Sequence, residues 1–365
     1  MSGYSEKYFF KSLKTIDKTG LLWKNSGGKI REIMIKKVLF FRSDCLDAYK
    51  NIALEYRFVK VCPHDAVIVY VWQNDHSVII GKNQNAFGEV NLDLLLADGG
   101  KVVRRFTGGG AVYHDIKNLN FSFVASKENY SVEKNFEVIK RALEPFGVNA
   151  EISGRNDLTV DGKKFSGNAF LTEDGICLHH GTILIDTDVT KMQKYLTVNK
   201  EKLAAKGVKS VASRVVNLAT ICPDLTAEKV AESIRDVCGK VFDSKCVEMN
   251  PDEYPWNGQE DTEKLIRSNE WTLGRVADKN YVCRSKRFDW GTTQVAFVKD
   301  GDGVLTDLLV FSDSLDTEIC KRAQEFFIGK KTDGILLTDG ILLTDGKLTD
   351  VLSLLQEQND ENDNN

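Results

Sequence analysis

The order of apolar and polar positions along the chain predicts many short strands and a few amphipathic helices. Leu46 to Val61 carries apolar residues three and four positions apart and is followed by Pro63, which predicts a helix. The unbroken apolar run from Ala66 to Trp72 predicts a buried strand. Further strands are predicted at 38–41, 78–80, 119–125, 154–157, 158–160, 163–170 and 177–185, and further helices at 131–146 and 227–237. Strands outnumber helices without βαβ alternation, so we predict an α+β fold, a mixed β-sheet with flanking helices on one side.

A second, smaller unit follows a stretch rich in Pro, Asp and Asn at 250–258. Strands at 281–283, 294–298 and 303–311 and a helix at 317–327 predict a small α/β C-terminal accessory domain. Thr-Asp-Gly, repeated from 332, 338 and 344, is too short for a solenoid and predicts a local duplication in a loop or at a helix end. The predicted organisation is an N-terminal extension at 1–34, a main domain at 35–250, the accessory domain at 260–355 and a disordered acidic tail at 356–365.

Composition narrows the class of protein. With 53 acidic and 49 basic residues, the net charge of -4 argues against a dedicated nucleic-acid binder. The longest apolar run is far shorter than the roughly 20 residues that a membrane span needs. The eight cysteines form no Cys-x-x-Cys motif, which favours reduced thiols in an intracellular protein over a structural zinc or a catalytic cysteine.

Residues 1–34 leave the location of the protein open. They carry seven basic and three acidic residues with apolar residues between them, as a targeting presequence would. The basic residues are mostly lysine, however, and Met34 is an alternative start just before the first strand. We expect a cytoplasmic protein, or a mitochondrial or related organellar one if this segment is a presequence.

The stretch from Lys101 to Asn118 is the strongest candidate site. Three glycines at 108 to 110 lie between two apolar segments, which predicts two strands meeting at a turn without side chains. Backbone N–H groups of such a turn can approach a ligand closely. Arg104, Arg105 and His114 flank the turn, so an anionic ligand fits the pattern, although a plain hairpin turn is the alternative. No Gly-Lys-Ser/Thr and no Gly-x-Gly-x-x-Gly is present, which excludes two common nucleotide-binding loops.

Two further segments carry charged groups suited to phosphate chemistry. Lys163 and Lys164 lie in a predicted strand, and because side chains alternate, only one of them can face the interior. Such a lysine could neutralise charge that builds during adenylation, unless both belong to a solvated hairpin. Asp157 is a candidate magnesium ligand, since magnesium prefers carboxylate and phosphate oxygens.

A histidine pair and a basic segment are less specific. His179 and His180 have no third ligand nearby, so we assign no metal to them. The segment 191–214 carries seven basic residues against Glu201. It is either a solvated helical face, a basic surface for an acidic partner, or a lid over phosphates built on Gly207.

Taken together, these motifs resemble the lipoate-protein ligase A family. The matching segments are Arg104–Asp115, Gly154–Leu158, Lys164–Gly167, His179–Thr182 and Ala204–Ser210, with Val78–Asn85, Phe288–Gly291 and Val310–Leu315 in addition. They occur in one register and order over about residues 38 to 325. The resemblance implies a catalytic main domain that makes lipoyl-adenylate from lipoate, or octanoate, and Mg-ATP. A lysine of an apo lipoyl domain, on an E2 subunit or on H protein, would then attack the adenylate.

The resemblance also implies roles for individual residues. Lys164 would be the catalytic cation, and Asp157 would face magnesium. The lipoyl and adenylate pocket would be formed by Arg105, Thr107, Gly108, Gly109, Gly110, His114, Asn118, Asn156 and His180. The loop over the adenylate would contain Lys206, Gly207, Val208, Lys209 and Ser210. We expect a monomer.

The chain departs from the family pattern at Thr107, where serine is usual, and at Asn168, where a smaller residue is common. The nearest alternative function is an octanoyl or lipoyl transferase that works without ATP. The accessory domain and the 204–210 loop favour the ligase over that transferase. A biotin ligase lacks support because its arginine- and glycine-rich motif is missing, and a non-catalytic lipoyl-domain binder would not need Arg105, Asp157 and Lys164.

Overall fold

The computed structural model describes residues 35–154, 156–197, 214–250, 259–335 and 344–357, which belong to one compact unit. The predictions for the extension at 1–34, for residues 206–210 and for the tail from 358 onward lie outside the described residues. No helix in these five ranges has the length and apolar character needed to cross a membrane.

Most predicted elements are present, with bounds shifted by a few residues. The strands are β1 (Lys37–Arg42), β2 (Ala66–Trp72), β3 (Ser77–Ile80), β4 (Lys101–Arg104), β5 (Val112–His114), β6 (Asn118–Ser126), β7 (Glu151–Ser153), β8 (Asp157–Val160), β9 (Lys163–Glu173), β10 (Ile176–Leu184), β11 (Lys245–Glu248), β12 (Val282–Phe288), β13 (Gly291–Lys299) and β14 (Leu305–Ser312). The α-helices are α1 (Ala48–Val61), α2 (Ala86–Glu89), α3 (Leu92–Ala97), α4 (Val132–Leu143), α5 (Val189–Tyr195), α6 (Ala227–Val241), α7 (Gln259–Arg267), α8 (Asn269–Thr272), α9 (Ile319–Phe327) and α10 (Gly346–Gln356).

The main sheet has eight strands in the order β11-β1-β2-β6-β10-β9-β8-β7. β1 pairs in parallel with β2 and with β11, and the remaining pairs are antiparallel. This mixed sheet confirms the predicted fold class. β1, α1 and β2 form one βαβ unit, but the remaining antiparallel pairs show that βαβ alternation does not continue along the sheet. β1 has only six residues, and its sequence does not show that its parallel partner β2 follows a helix.

Helices cover both faces of the main sheet, and the expectation that they lie on one side was wrong. Ile52 and Phe58 of α1 pack with Ile68 of β2 against one face. Phe136 of α4 and Ile234 of α6 pack against the other. The physical reason is visible in β2, where every residue is buried. Successive side chains point to opposite faces, so a wholly apolar strand needs cover on both.

Two helix boundaries follow the capping signals in the sequence. Asp47 precedes α1, and its carboxylate accepts the backbone N–H of Tyr49 at 2.9 Å. Ser131 precedes α4 and accepts the N–H of Lys134 at 3.2 Å. The chain leaves the short 3-10 turn after α4 at Gly147, whose φ of 74° suits glycine.

A second sheet of three strands, in the order β4-β3-β5, carries the glycine-rich stretch. β4 and β5 do not pair with each other, because β3 lies between them and pairs with both. This pairing excludes the alternative in which the glycines form a plain hairpin turn between β4 and β5. The connection instead crosses the end of β3, where a Cβ atom at Gly81 would lie 2.2 Å from the carbonyl oxygen of Gly109. Glycine is needed for this close crossing of two backbones.

The C-terminal subdomain is an antiparallel sheet, β12-β13-β14, covered by α9 and α10. Its three strands and α9 confirm the prediction, whereas α10 was not predicted. It begins at Gly346, the last residue of the third Thr-Asp-Gly, and Asp345 before it accepts the N–H of Lys347 at 3.1 Å. It buries Leu348, Val351, Leu352, Leu354 and Leu355, and it ends at Gln356, the first residue assigned to the tail.

Candidate active site

A cavity of about 140 Å³ lies where the small sheet meets the main sheet. Its apolar wall includes Ile52, Trp72, Ile79 and Val112, and its polar wall comes from β6, β9, β10 and the glycine-rich connection. This arrangement of an apolar lining with a few polar groups is typical of a pocket for a small organic ligand.

Seven of the predicted site residues line this cavity: Arg105, Gly109, Gly110, His114, Asn156, Lys164 and His180. Thr107, Gly108 and Asn118 lie one layer behind the wall. Thr107 is buried against His180, Gly108 against the C-terminal subdomain, and Asn118 donates to Asn120, which does line the cavity. Residues 206–210 are outside the described part of the chain.

Arg105 holds the glycine-rich connection around its own side chain. Its Nη2 donates to the carbonyls of Gly108 and Gly110 at 2.7 and 2.8 Å, and its Nη1 donates to Ile79 at 3.1 Å. Burial lowers the pKa of Arg105 to about 10, so the group remains a cation at neutral pH. A buried positive charge on the cavity wall favours an anionic ligand.

The glycines also receive the C-terminal subdomain. The N–H of Gly109 donates to the carbonyl of Ser314 at 2.9 Å, so this donor does not face the ligand in this conformation. A Cβ atom at Gly108 would lie 2.3 Å from the same Ser314 carbonyl. Lys82 and Asn83 also contact the C-terminal subdomain, and we call this set of contacts with the glycine-rich connection the seam. The backbone carbonyl of Asn83 accepts the N–H of Ser312 at 2.8 Å.

Arg104 has a structural position, away from the cavity. Its guanidinium donates to the carbonyls of Gly81, Lys82 and Gln84 and to those of Trp271 and Thr272, at 2.6 to 3.2 Å. Burial lowers its pKa to about 10 as well. Only the second of the two arginines therefore contributes charge to the site, and the first one ties three segments together.

Lys164, on the cavity wall, forms an ion pair with Asp157, which is not one of the lining residues, with Nζ 2.8 Å from Oδ1. The prediction that one lysine faces inward is confirmed, since Lys164 lines the cavity and Lys163 is exposed. A Cβ atom at Gly167 would lie 2.8 Å from Nζ of Lys164, so a larger residue here would displace the amine from this position.

A buried hydrogen-bond network behind the wall was missed in the sequence. Glu55 of α1 is 3% exposed, and its Oε1 lies 2.8 Å from Nδ1 of His180 and 2.5 Å from Oγ of Ser122. Oγ1 of Thr107 lies 2.9 Å from Nε2 of His180 and accepts from Nε of Arg105 at 2.9 Å.

The direction of each bond in this network follows from its two ends. Arg105 and Trp72 can only donate, and Trp72 donates to Ser122 at 3.0 Å. The hydroxyl of Thr107 is then free to donate to Nε2 of His180. The Nδ1–H of His180 and the hydroxyl of Ser122 both donate to Glu55. One buried carboxylate thus orients two residues of the cavity wall, His180 and Trp72.

The signal that could have revealed Glu55 is its position on the helix. Asn51 and Glu55 are four residues apart, and both fall on the face that also carries Ile52 and Phe58. Polar residues within a buried helical face are uncommon unless they have partners.

His179 points away from the cavity, into a cluster of phenylalanines. Its Nε2 lies 2.9 Å from Oδ1 of Asn168, and burial lowers its pKa to about 3, so it stays neutral. Asn168 itself lines the cavity. The described residues contain no group of three or more His, Cys, Asp or Glu that could hold a metal ion, and the eight cysteines are free thiols.

Comparison with known proteins identifies the family. The lipoyl protein ligase A/B catalytic domain matches residues 47–238, more than half of the chain. The chain belongs to the lipoyl protein ligase A/B family. The resemblance in the motifs is therefore confirmed, and the cavity lies within the matched residues.

Relatives of this ligase extend beyond the catalytic domain. Lipoate-protein ligase A of Bdellovibrio bacteriovorus is 34% identical over 309 residues, which cover 82% of this chain and 90% of the relative. P. falciparum LipL1, solved in complex with lipoate, has a TM-score of 0.71 and 27% identity, covering 87% of this chain and 99% of its own. A lipoate-protein ligase A solved with ATP has a TM-score of 0.55 and 24% identity, over 67% and 100% of the two chains. The chain is a ligase of this family.

Proposed function

We propose that this ligase activates lipoate with ATP and transfers the lipoyl group to a lysine of apo lipoyl domains, on E2 subunits and on H protein. The observation that carries the proposal is the position of Lys164, a cation on the wall of a largely apolar cavity that also contains Arg105. An acyl chain can occupy the apolar part while its carboxylate meets the cations. The relative solved with lipoate and the one solved with ATP support this choice of substrates.

In the first step, a carboxylate oxygen of lipoate attacks the α-phosphorus of ATP. The bond to the β-phosphate oxygen breaks, and pyrophosphate leaves. Two anions have to approach each other, and negative charge builds on the phosphoryl oxygens. Lys164 supplies a positive charge at that point, and Arg105 adds a second at the glycine-rich connection.

Asp157 is the proposed ligand for magnesium. A single carboxylate beside bound phosphates suits this ion, which usually retains waters and takes one or two carboxylates from the protein. When bound, magnesium would neutralise phosphate charge. Asp157 now pairs with Lys164, and its two oxygens leave room for a second cationic partner.

In the second step, the amine of the acceptor lysine attacks the carbonyl of the adenylate, and AMP leaves. The mixed anhydride has to be shielded from water, which we assign to residues 206–210. The described residues on either side support this role. Thr197, before this segment, donates its N–H to the carbonyl of Glu89 at 3.0 Å, and Val216, after it, donates its N–H to the carbonyl of Lys164 at 2.9 Å. Both flanking residues are therefore held in place, and the second is held at the catalytic lysine.

The deciding experiment is intact-mass analysis of an apo lipoyl domain after incubation with this protein and lipoate, with and without Mg-ATP. A lipoyl mass increment that requires ATP is the expected result. Modification without ATP when octanoyl-acyl carrier protein is supplied would reassign the protein as a transferase. An unmodified acceptor under both conditions, with binding retained, would leave only a binding role.

A further inference from the structure

Two cysteines meet where α6 packs against the edge strand β11. Sγ of Cys238, on the helix, lies 3.5 Å from Sγ of Cys246, on the strand. Neither residue lines the cavity, and Cys246 lies beyond residues 47–238, which match the family. The proposed function therefore gives this pair of thiols no role.

The turn between α6 and β11 holds the two sulfurs together. The N–H of Phe242 donates to the carbonyl of Cys238 at 3.0 Å, and the N–H of Ser244 donates to the carbonyl of Gly239 at 3.0 Å. A Cβ atom at Gly239 would lie 3.3 Å from Cβ of Cys246, so the strand passes close to the end of the helix. Beyond the turn, β11 is held by its parallel pairing with β1. A backbone fixed on both sides gives the two thiols a high effective concentration.

The two free thiols differ in exposure. Cys238 is 0% exposed and belongs to the core beneath α6, whereas Cys246 is half-buried. A small solute therefore reaches the sulfur of Cys246 first. Access of this kind, next to a second thiol, is typical of cysteines that are oxidised reversibly.

Cys238 has one hydrogen and two acceptors within reach. Its Sγ lies 3.2 Å from the carbonyl oxygen of Arg235 and 3.5 Å from Sγ of Cys246. The hydrogen bond from Cys238 is the main cause that lowers the pKa of Cys246, and the charge of Arg235 adds to it against the effect of burial. The same contact and burial raise the pKa of Cys238. When one thiol of the pair ionises, the thiolate is therefore Cys246.

We propose that Cys246 and Cys238 form a reversible disulfide when the protein meets a hydroperoxide, with Cys246 as the attacking thiol and Cys238 as the resolving thiol. This inference goes beyond the proposed function and does not depend on it. A cross-link at this place would tie the four residues of β11, at the edge of the main sheet, to α6.

The reaction has two steps. The thiolate of Cys246 attacks an oxygen of the hydroperoxide, the O–O bond breaks, and the leaving alkoxide or hydroxide takes a proton from water, which leaves a sulfenic acid on Cys246. The sulfur of Cys238 then attacks the sulfenic sulfur, the S–S bond forms, the S–O bond breaks, and the hydroxide leaves as water with the hydrogen of Cys238. The sulfurs close from 3.5 Å to roughly 2 Å. Two electrons pass to the hydroperoxide, and a small dithiol returns them by exchange.

The test oxidises the reduced, full-length protein with hydrogen peroxide, alkylates the remaining thiols with iodoacetamide and maps tryptic peptides by mass. Lys240 and Lys245 lie between the two cysteines, so the disulfide joins two separate peptides. We expect this joined pair, sensitive to dithiothreitol, in at least about tenfold higher yield from native protein than from protein unfolded in urea before oxidation. Equal yields would overturn the proposal, because the fold would then contribute nothing. Alkylation of both cysteines in protein whose exposed Cys283 is oxidised would overturn it as well.

Variants separate the roles of the two thiols. Cys238→Ala should leave a sulfenic acid on Cys246 that dimedone captures, because the resolving thiol is absent. Cys246→Ser should give neither the disulfide nor a dimedone adduct on Cys238. Cys283→Ser, which removes an exposed thiol of the C-terminal subdomain, is the matched control and should form the disulfide as the wild type does. An adduct on Cys238 in Cys246→Ser would overturn the assigned order, and the wild-type peptide map decides the pairing even if one variant does not fold.

Discussion

Nζ of Lys164 lies 2.8 Å from Oδ1 of Asp157, while the adjacent Lys163 is exposed. This contrast provides a matched pair of variants. Lys164→Ala should reduce ATP-pyrophosphate exchange by at least about 100-fold, because a fixed charge at the developing negative charge is lost. Lys163→Ala should leave the exchange rate near that of the wild type. Equal rates in the two variants, with intact circular dichroism, would remove Lys164 from the mechanism.

Asp157→Asn should raise the magnesium concentration needed for half-maximal activity by about tenfold or more, since an amide oxygen binds this ion more weakly than a carboxylate. The measurement is a magnesium titration of pyrophosphate release. Asp161→Asn is the control, because Asp161 occupies the β8–β9 turn with φ of 50°, a conformation that asparagine also adopts. A shift of similar size in both variants would argue against Asp157 as a magnesium ligand.

Glu55→Ala should lower the free energy of unfolding by about 3 kcal/mol. His180 and Ser122 would lose their hydrogen-bond acceptor, and the buried charge of Arg105 would lose its nearby counter-charge. Urea unfolding measures the change. Tyr56→Phe removes the next side chain's hydroxyl, which donates to the partly exposed Glu173, and should cost less than about 1 kcal/mol. Similar losses in the two variants would contradict the network.

Gly108→Ala should destabilise the seam with the C-terminal subdomain, since the new methyl group would lie 2.3 Å from the carbonyl of Ser314. We expect a loss of about 2 kcal/mol in urea unfolding, the usual range for overpacking. At Gly110 an added Cβ atom meets nothing within 4 Å, so Gly110→Ala should keep wild-type stability. If the Gly108→Ala protein is as stable as the Gly110→Ala protein, the glycine-rich connection and the C-terminal subdomain can separate without a loss of stability.

Asp316 makes stability depend on acid pH. Burial alone would raise its pKa, but the hydrogen bond and charge of Arg322 and those of Lys347 outweigh it and lower the pKa to about 2. Because the folded pKa lies below the ordinary value of 3.8, this stabilisation is full above about pH 4 and is lost as the pH falls through about 2.

The variant that measures this contribution is Asp316→Asn. It should be about 2 kcal/mol less stable than wild type at pH 6, and about half of that difference should remain at pH 3. Asp302→Asn, on the exposed turn between β13 and β14, is the control and should show no such pH dependence. A difference between wild type and Asp316→Asn that stays constant from pH 6 to pH 3 would refute the assignment.

The sequence predicted the elements better than their pairing. The apolar run at Ala66–Trp72 and the capping residues Asp47 and Ser131 are local signals, and the elements they predict are present. Pairing of β3 between β4 and β5 is not local, and adjacent strands in a sequence are easily taken for a hairpin. The glycines were expected to let a ligand approach closely, whereas the groups that approach them in the structure are Gly81 and Ser314.

The candidate site shows the same difference between local signals, which the sequence predicts, and contacts between distant residues, which it does not. Motif residues such as Arg105, His114 and Lys164 line the cavity, and Asn118 and Thr107 support it from one layer behind. Residues that work from behind the wall, Glu55 and Asn74 among them, carry no motif of their own. Their importance comes from hydrogen bonds to residues far away in the chain, and these appear only in three dimensions.

The two partners of the Gly109–Ser314 hydrogen bond are added to the chain at different times during synthesis. Translation proceeds at roughly 5 to 20 residues per second, so Ser314 is added roughly 10 to 40 seconds after Gly109. β11, which pairs with β1 at the sheet edge, is also added late. The nascent chain therefore carries its arginine and glycines long before the segment that covers them exists. During that interval the backbone amide of Gly109 has to be satisfied by water or by a ligand.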